Sequence, residues 1–181
     1  MNYHKIVTLK NGAECCIRSA TEADGQAVLD NFLLTHGETD YLLTYPDEMH
    51  FTAAQEGAFL QAKYLSEREI ELIAVVDGSV AATAGISAVG GRDKLRHRAE
   101  LGVSVAEAFW GLGIGGILTA ACIECAKAAG YLQLELEVVA GNERAISLYQ
   151  KAGFTEYGRN PKGFLSRSGA FQEVVSMRLE L

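Results

Sequence analysis

Four glycines fall within six positions of this 181-residue chain: Gly111, Gly113, Gly115 and Gly116. Lacking Cβ atoms, such a stretch can lay its backbone against a ligand, and its amide N–H groups are free to donate. Apolar residues then recur at helical spacing, Ile114, Ile117, Leu118, Ala121, Cys122, Cys125 and Ala128, with Gly130 placed as a left-handed stop. Free amides and the positive end of a helix dipole aimed at one point suit a phosphate or pyrophosphate. The chemistry expected is capture of a phosphorylated cofactor.

Two other patterns compete for these residues. Gly111 to Gly116 also satisfies G-x-G-x-x-G, and Glu135 stands where a dinucleotide fold keeps its ribose-binding acid. Against that, Ala106 to Trp110 intervene between the preceding strand and the first glycine, where a dinucleotide fold turns tightly, and too little chain follows Gly116 for a second half-sheet. Cys122-x-x-Cys125 spells half of a redox or zinc motif, but both cysteines lie inside the helix rather than at its N-terminus. Cys15 and Cys16, adjacent on a strand, point to opposite faces. All four are expected to be small hydrophobes, with no metal.

The elements that position the loop follow from patterning. Before it, Arg96 to Val105 reads as a strand, with Leu101, Val103 and Val105 alternating against Glu100, Gly102 and Ser104. After the helix, LQLELEV from Leu132 to Val138 alternates again. Asn142 then caps a short helix carrying Ala145, Leu148, Tyr149 and Ala152, which Gly153 ends, so that Phe154 should pack back near Tyr149. Upstream, Val7 to Arg18 reads as a hairpin around a tight primed turn at Asn11-Gly12, and Ile70 to Val89 as another around Asp77-Gly78. Helices start at Thr21 and Thr52, and Asp40 to Phe51 has no period and is expected to be a loop. Thr155 to Leu165 and Ala170 to Leu179 close the chain as an antiparallel pair.

Length and composition predict one domain over residues 1–181, with 49% apolar residues and a formal charge of −7. Phosphate-backbone binding needs clustered Lys and Arg, so nucleic acid is not an expected partner. The first residues hold no apolar signal core and no apolar run is long enough to span a membrane, so a cytoplasmic protein is expected.

The succession of strand, FWGLGIGG loop, long helix, strand and N-x-x-A-x-x-L-Y-x-x-x-G-F closely resembles the GNAT superfamily of acyl-CoA-dependent N-acetyltransferases, over nearly the whole chain. The resemblance implies an α/β (α+β) fold: a mixed, mostly antiparallel sheet of about seven strands, about four flanking helices, and a V-shaped splay between two central strands. It implies acetyl-CoA as co-substrate and the primary amine of a small molecule or peptide as acceptor, with a homodimer as a further expectation. The family's R/Q-x-x-G-x-G/A loop falls on Trp110, Gly111, Leu112, Gly113, Ile114 and Gly115, with Gly116 following. Trp110 departs from the usual Arg or Gln, so a polar side-chain contact to the cofactor is lost. The resemblance also implies that backbone around Val103, Ser104 and Val105 pairs with pantetheine, that Asn142 lies beside it, and that Tyr149 lies near the sulfur.

The chemistry so implied is attack of a neutral amine on a thioester, with a proton supplied to the departing thiolate. Tyr149 is the expected general acid and Glu100 the expected base, with His97, Glu135 and Glu137 weaker candidates; an amine of low pKa would need no base. The backbone amide near Val105 would polarise the carbonyl. A CoA-binding sensor without turnover is the alternative, and the acceptor would be shaped by Asp40 to Phe51 and the turns near Gly90 and Leu165.

Overall fold

The structure is a computed structural model describing residues 1–181. Strands β1 (His4–Thr8) and β2 (Glu14–Ser19) open the chain as an antiparallel hairpin. Its turn is longer than a primed Asn-Gly pair: Leu9 N–H donates to Ala13 O, Gly12 takes φ +87°, and Asn11 Oδ1 accepts from Ala13 N–H at 3.1 Å. The connection is therefore three residues, Lys10 to Gly12, ending on a left-handed glycine and bridged by the Asn11 side chain. Asp77-Gly78 does form the primed turn, with φ +49° and +79°, between β3 (Ile70–Val76) and β4 (Ser79–Ala88).

Between these hairpins lie helices α1 (Gly25–Glu38) and α2 (Ala53–Leu65). Thr21 starts a 3-10 turn, Glu22–Asp24, rather than α1 itself. The Asp24 carboxylate accepts from the Thr21 N–H and hydroxyl and from both Arg18 terminal nitrogens, which ties the turn to β2. The Arg18 bonds, followed by those from Thr21, hold this carboxyl down to about 2. Thr52 caps α2, its hydroxyl accepting from Gln55 N–H. The two helices touch backbone to backbone: a Cβ on Gly25 would stand 2.3 Å from Ala53 O, and one on Gly57 2.6 Å from Glu22 O.

The second half comprises β5 (Arg98–Val105), α3 (Ile114–Ala128), β6 (Gln133–Val139), α4 (Glu143–Lys151), β7 (Thr155–Leu165) and β8 (Phe171–Glu180). All strands join one sheet in the order β1-β2-β3-β4-β5-β6-β8-β7, antiparallel throughout except for β5–β6. Both strands of the expected opening hairpin join it, which makes eight strands in keeping with the expected mixed, mostly antiparallel sheet of about seven. Strand alternation divides the core between the two faces. Ile70, Leu72 and Ala74 of β3 and Leu101 of β5 pack with Ile114, Leu118 and Cys122 of α3, while Ile73 packs with Val28 of α1 and Leu60 of α2. Cys122 and Cys125 are buried, unbridged members of this core, as expected. No helix is long and apolar enough to cross a membrane.

Candidate active site

Strands β5 and β6 pair at only three positions, from Arg98↔Gln133 to Glu100↔Glu135. Strand β5 stays paired to β4 as far as Val105, so from Leu101 onward its other edge faces no strand. This is the expected splay, and it opens toward Val103, Ser104 and Val105. The N-termini of α3 and α4 lie at its mouth, because β5 runs into one and β6 into the other.

The glycine loop sits at this mouth, and each glycine has its own reason. Gly111 and Gly113 take φ +83° and +96°, with Gly113 as the left-handed N-cap of α3. Gly115 is wedged: a Cβ there would meet Leu148 Cδ1 at 3.2 Å and Val105 Cγ2 at 3.7 Å. Gly116 faces open space. None of the amides from Gly111 through Leu112, Gly113, Ile114 and Gly115 to Gly116 donates to a backbone oxygen, and the first helical bond of α3 runs from Ile117 to Gly113. This row of free donors on a helix N-terminus fits the pyrophosphate of a CoA thioester.

Trp110 is tied to the end of β5. Its indole N–H donates to Val105 O at 2.7 Å, closing the end of β5, and the Arg144 guanidinium lies 5.3 Å from its ring centroid. Lys10 also reaches the loop: its amide donates to Leu112 O, and its Cε lies 3.8 Å from where a Gly113 Cβ would be. Two cations therefore stand beside a loop whose own side chains carry none. Sequence reasoning missed both. Arg144, two residues after Asn142, was within reach of the motif, whereas Lys10 is brought there only by the hairpin.

Asn142 caps α4 as expected, with Oδ1 accepting from Ala145 N–H at 3.2 Å. Tyr149, 9% exposed, has its ring edge-on to Phe154 with centroids 5.8 Å apart, as Gly153 at φ +99° sends Phe154 N–H back to Tyr149 O. Burial, reinforced by neighbouring Cys122, pushes its phenol up to about 12, so the O–H is retained throughout the neutral range.

Glu100 is exposed, at the closed end of the splay where β5 and β6 last pair. Alternation along β5 sets it on the face opposite Leu101, hence opposite the α3 face that holds Tyr149. The splay is what connects the two. Glu135 is occupied as the counter-ion of Arg98, bonded through both carboxylate oxygens. Glu137, two residues further along β6, is exposed beside the open part and accepts from Ser176 Oγ at 3.5 Å. His97 lies before β5, away from the mouth, with its carbonyl accepting from Leu132 and Gln133.

Of the expected acceptor walls, Asp40 to Phe51 is irregular apart from a 3-10 turn at Pro46–Glu48. It is strapped across to the β7–β8 turn: Gln172 Nε2 donates to Asp40 O, Arg167 N–H donates to Tyr45 Oη, and the Arg167 guanidinium pairs with Asp47 at 2.8 Å. Tyr41 Oη donates to Gly141 O beside α4. The Leu165 turn thus belongs to this wall. The Gly90 turn does not: it precedes β5 and lies at the end of the sheet opposite Val105.

Residues 32–154 match the model of the acetyltransferase (GNAT) family. The chain belongs to the GNAT family. Among solved structures, a GNAT acetyltransferase from Streptococcus pneumoniae is similar with a TM-score of 0.87 and 30% identity, covering 92% of this chain and 99% of that one. The yncA protein of Salmonella typhimurium, solved with its cofactor acetyl-CoA, is similar in fold with a TM-score of 0.81 and 23% identity, covering 91% and 92%. N-alpha-acetyltransferase 30 of Schizosaccharomyces pombe is 30% identical over 73 residues, 40% of this chain. The match spans about half the length of that relative, 49%. The matched family is one of acetyltransferases.

Proposed function

We propose that this GNAT protein transfers the acetyl group of acetyl-CoA to a primary amine of a small molecule or peptide by direct attack within a ternary complex. The row of free amides from Gly111 to Gly116 beside the β5–β6 splay carries this reading. The amides would take the pyrophosphate, and the unpaired edge of β5 around Val103, Ser104 and Val105 would take the amide groups of the pantetheine arm, next to Asn142. The amine nitrogen bonds to the thioester carbon as the C–S bond breaks. Tyr149 gives its phenolic proton to the leaving sulfur and regains one from solvent; its raised pKa keeps it loaded. The amine's proton passes through water to Glu100 at the base of the splay or to Glu137 beside its open part.

The strap and the β7–β8 turn would wall the acceptor. Action as a homodimer through an exposed edge strand, in the cytoplasm, is part of the proposal and rests on sheet order and composition.

The test is thiol release from acetyl-CoA against a panel of polyamines, amino acids, aminoglycosides and N-terminal peptides, with Tyr149→Phe alongside. Turnover with one class is expected, reduced about 10²-fold or more in Tyr149→Phe while CoA affinity holds. CoA binding with no turnover on any amine would instead support a sensor.

A further inference from the structure

At the end of the sheet opposite the glycine loop, the chain carries an open groove of about 700 Å³. It is lined by Arg68 before β3, by Lys94, Arg96 and His97 before β5, and by Ala129, Gly130 and Leu132 at the exit of α3; Asp93 is the one carboxylate among its walls. The sequence from Arg92 to Arg98 reads RDKLRHR, which sets four of the chain's 16 lysines and arginines within seven positions of a protein of net charge −7. Only Arg98 among these four is ion-paired, to Glu135. Arg68, Arg92, Lys94 and Arg96 enter no salt bridge.

The wall on the Arg68 side is built. Its guanidinium carbon lies 4.4 Å from the Tyr131 ring centroid, and its Nη2 donates to Arg96 O. Arg68 Nε and Tyr131 Oη are closed from solvent without a hydrogen-bond partner. The carbonyl end of α3 lies here too, but a helix C-terminus is worth about half a negative charge. Together with Asp93 it offsets about half of the charge of Arg68, Lys94 and Arg96, and the positive remainder draws an anion. A volume of this size is within the range of small-molecule sites, about 300–1,000 Å³.

We propose that this groove is a second ligand site, separate from the glycine loop, which takes a small anion bearing two or three linked phosphates. Arg68 and Arg96 offer planar guanidinium forks to phosphate oxygens, and Lys94 adds a point charge at the rim. The test is calorimetric titration of the full chain with sodium tripolyphosphate after saturation with CoA, which keeps added phosphate from the glycine loop. The CoA titration that precedes it reports on that loop separately. Lys94 and Arg96 are exposed, so Lys94→Ala/Arg96→Ala keeps the fold.

Saturable one-to-one binding is expected, weakened at least tenfold in the double variant, unchanged within twofold in the distant Lys162→Ala, and declining as salt is added. No saturable heat, or a double variant that binds as the parent does, overturns the proposal. A short single-stranded RNA that binds more tightly than tripolyphosphate, and is lost in the same variant, also overturns it in favour of a polymer surface.

Discussion

Glu56 lies almost wholly buried on α2, near a salt bridge in which Lys63 Nζ meets Glu71 Oε2 at 2.9 Å. One lysine serves two carboxylates. Burial first, and Glu71 second, raise the Glu56 carboxyl above its ordinary value, with Lys63 opposing them. The folded protein therefore holds this proton more tightly than the unfolded chain does, and stability falls as pH rises from the ordinary glutamate value through the raised one. Glu56→Gln should melt higher than the parent at neutral pH, by about 2–4 °C, with the gain vanishing in acid where Glu56 is already protonated. Melts at both pH values decide it, and a variant less stable at neutral pH would mean that Lys63 favours the Glu56 charge. None of this cluster was legible in sequence, where the three residues fall on a helix and a strand without a shared motif. Tyr149 was legible, since a glycine stop followed by phenylalanine is a local device that folds one ring onto the other.

At the scale of elements, close approaches matter more than propensity. Helices α1 and α2 touch through Gly25 and Gly57, where an added methyl would collide with main-chain oxygen that cannot swing aside. Gly25→Ala should cost about 2 kcal/mol and lower Tm by roughly 4–8 °C, read by calorimetry. An unchanged Tm would show that the helices can slide apart freely. At the glycine loop, the opening hairpin and α4 bring Lys10 and Arg144 beside amides that carry no formal charge. Lys10→Ala and Arg144→Ala should each raise the KM for acetyl-CoA about tenfold with kcat little changed, the pattern of a lost binding contact. Unaltered KM in both would place the two cations outside the phosphate's reach. The sequence marked Trp110 as a lost polar contact; it could not show that neighbouring elements bring cations to the same place.

Across the whole molecule, contacts far apart in sequence tie the 40–51 segment to the β7–β8 turn. The strap from Asp40 to Phe51 meets the β7–β8 turn through Arg167, which pairs with Asp47 and lies 4.0 Å from the Tyr45 ring centroid. Arg167→Ala should speed hydrogen exchange in residues 40–51 several-fold while leaving α3 protected; exchange unchanged in the strap would mean that Gln172, Tyr41 and the main-chain bond from residue 167 to Tyr45 suffice to hold it. From residue types and spacing came the β5–loop–α3 unit, the Asn142-to-Phe154 helix and the turn at Asp77-Gly78, because each rests on contacts within one turn or one alternation; the family came from the resemblance that their order carries. The fold alone decided that β6 leaves β5 after three pairs, that Glu135 belongs to Arg98, that Glu100 and Tyr149 sit on opposite faces, and that the Gly90 turn lies at the end of the sheet opposite Val105. These depend on strand register and on which distant segments meet. One chain pattern is compatible with several such pairings, and only packing of the whole sheet selects among them.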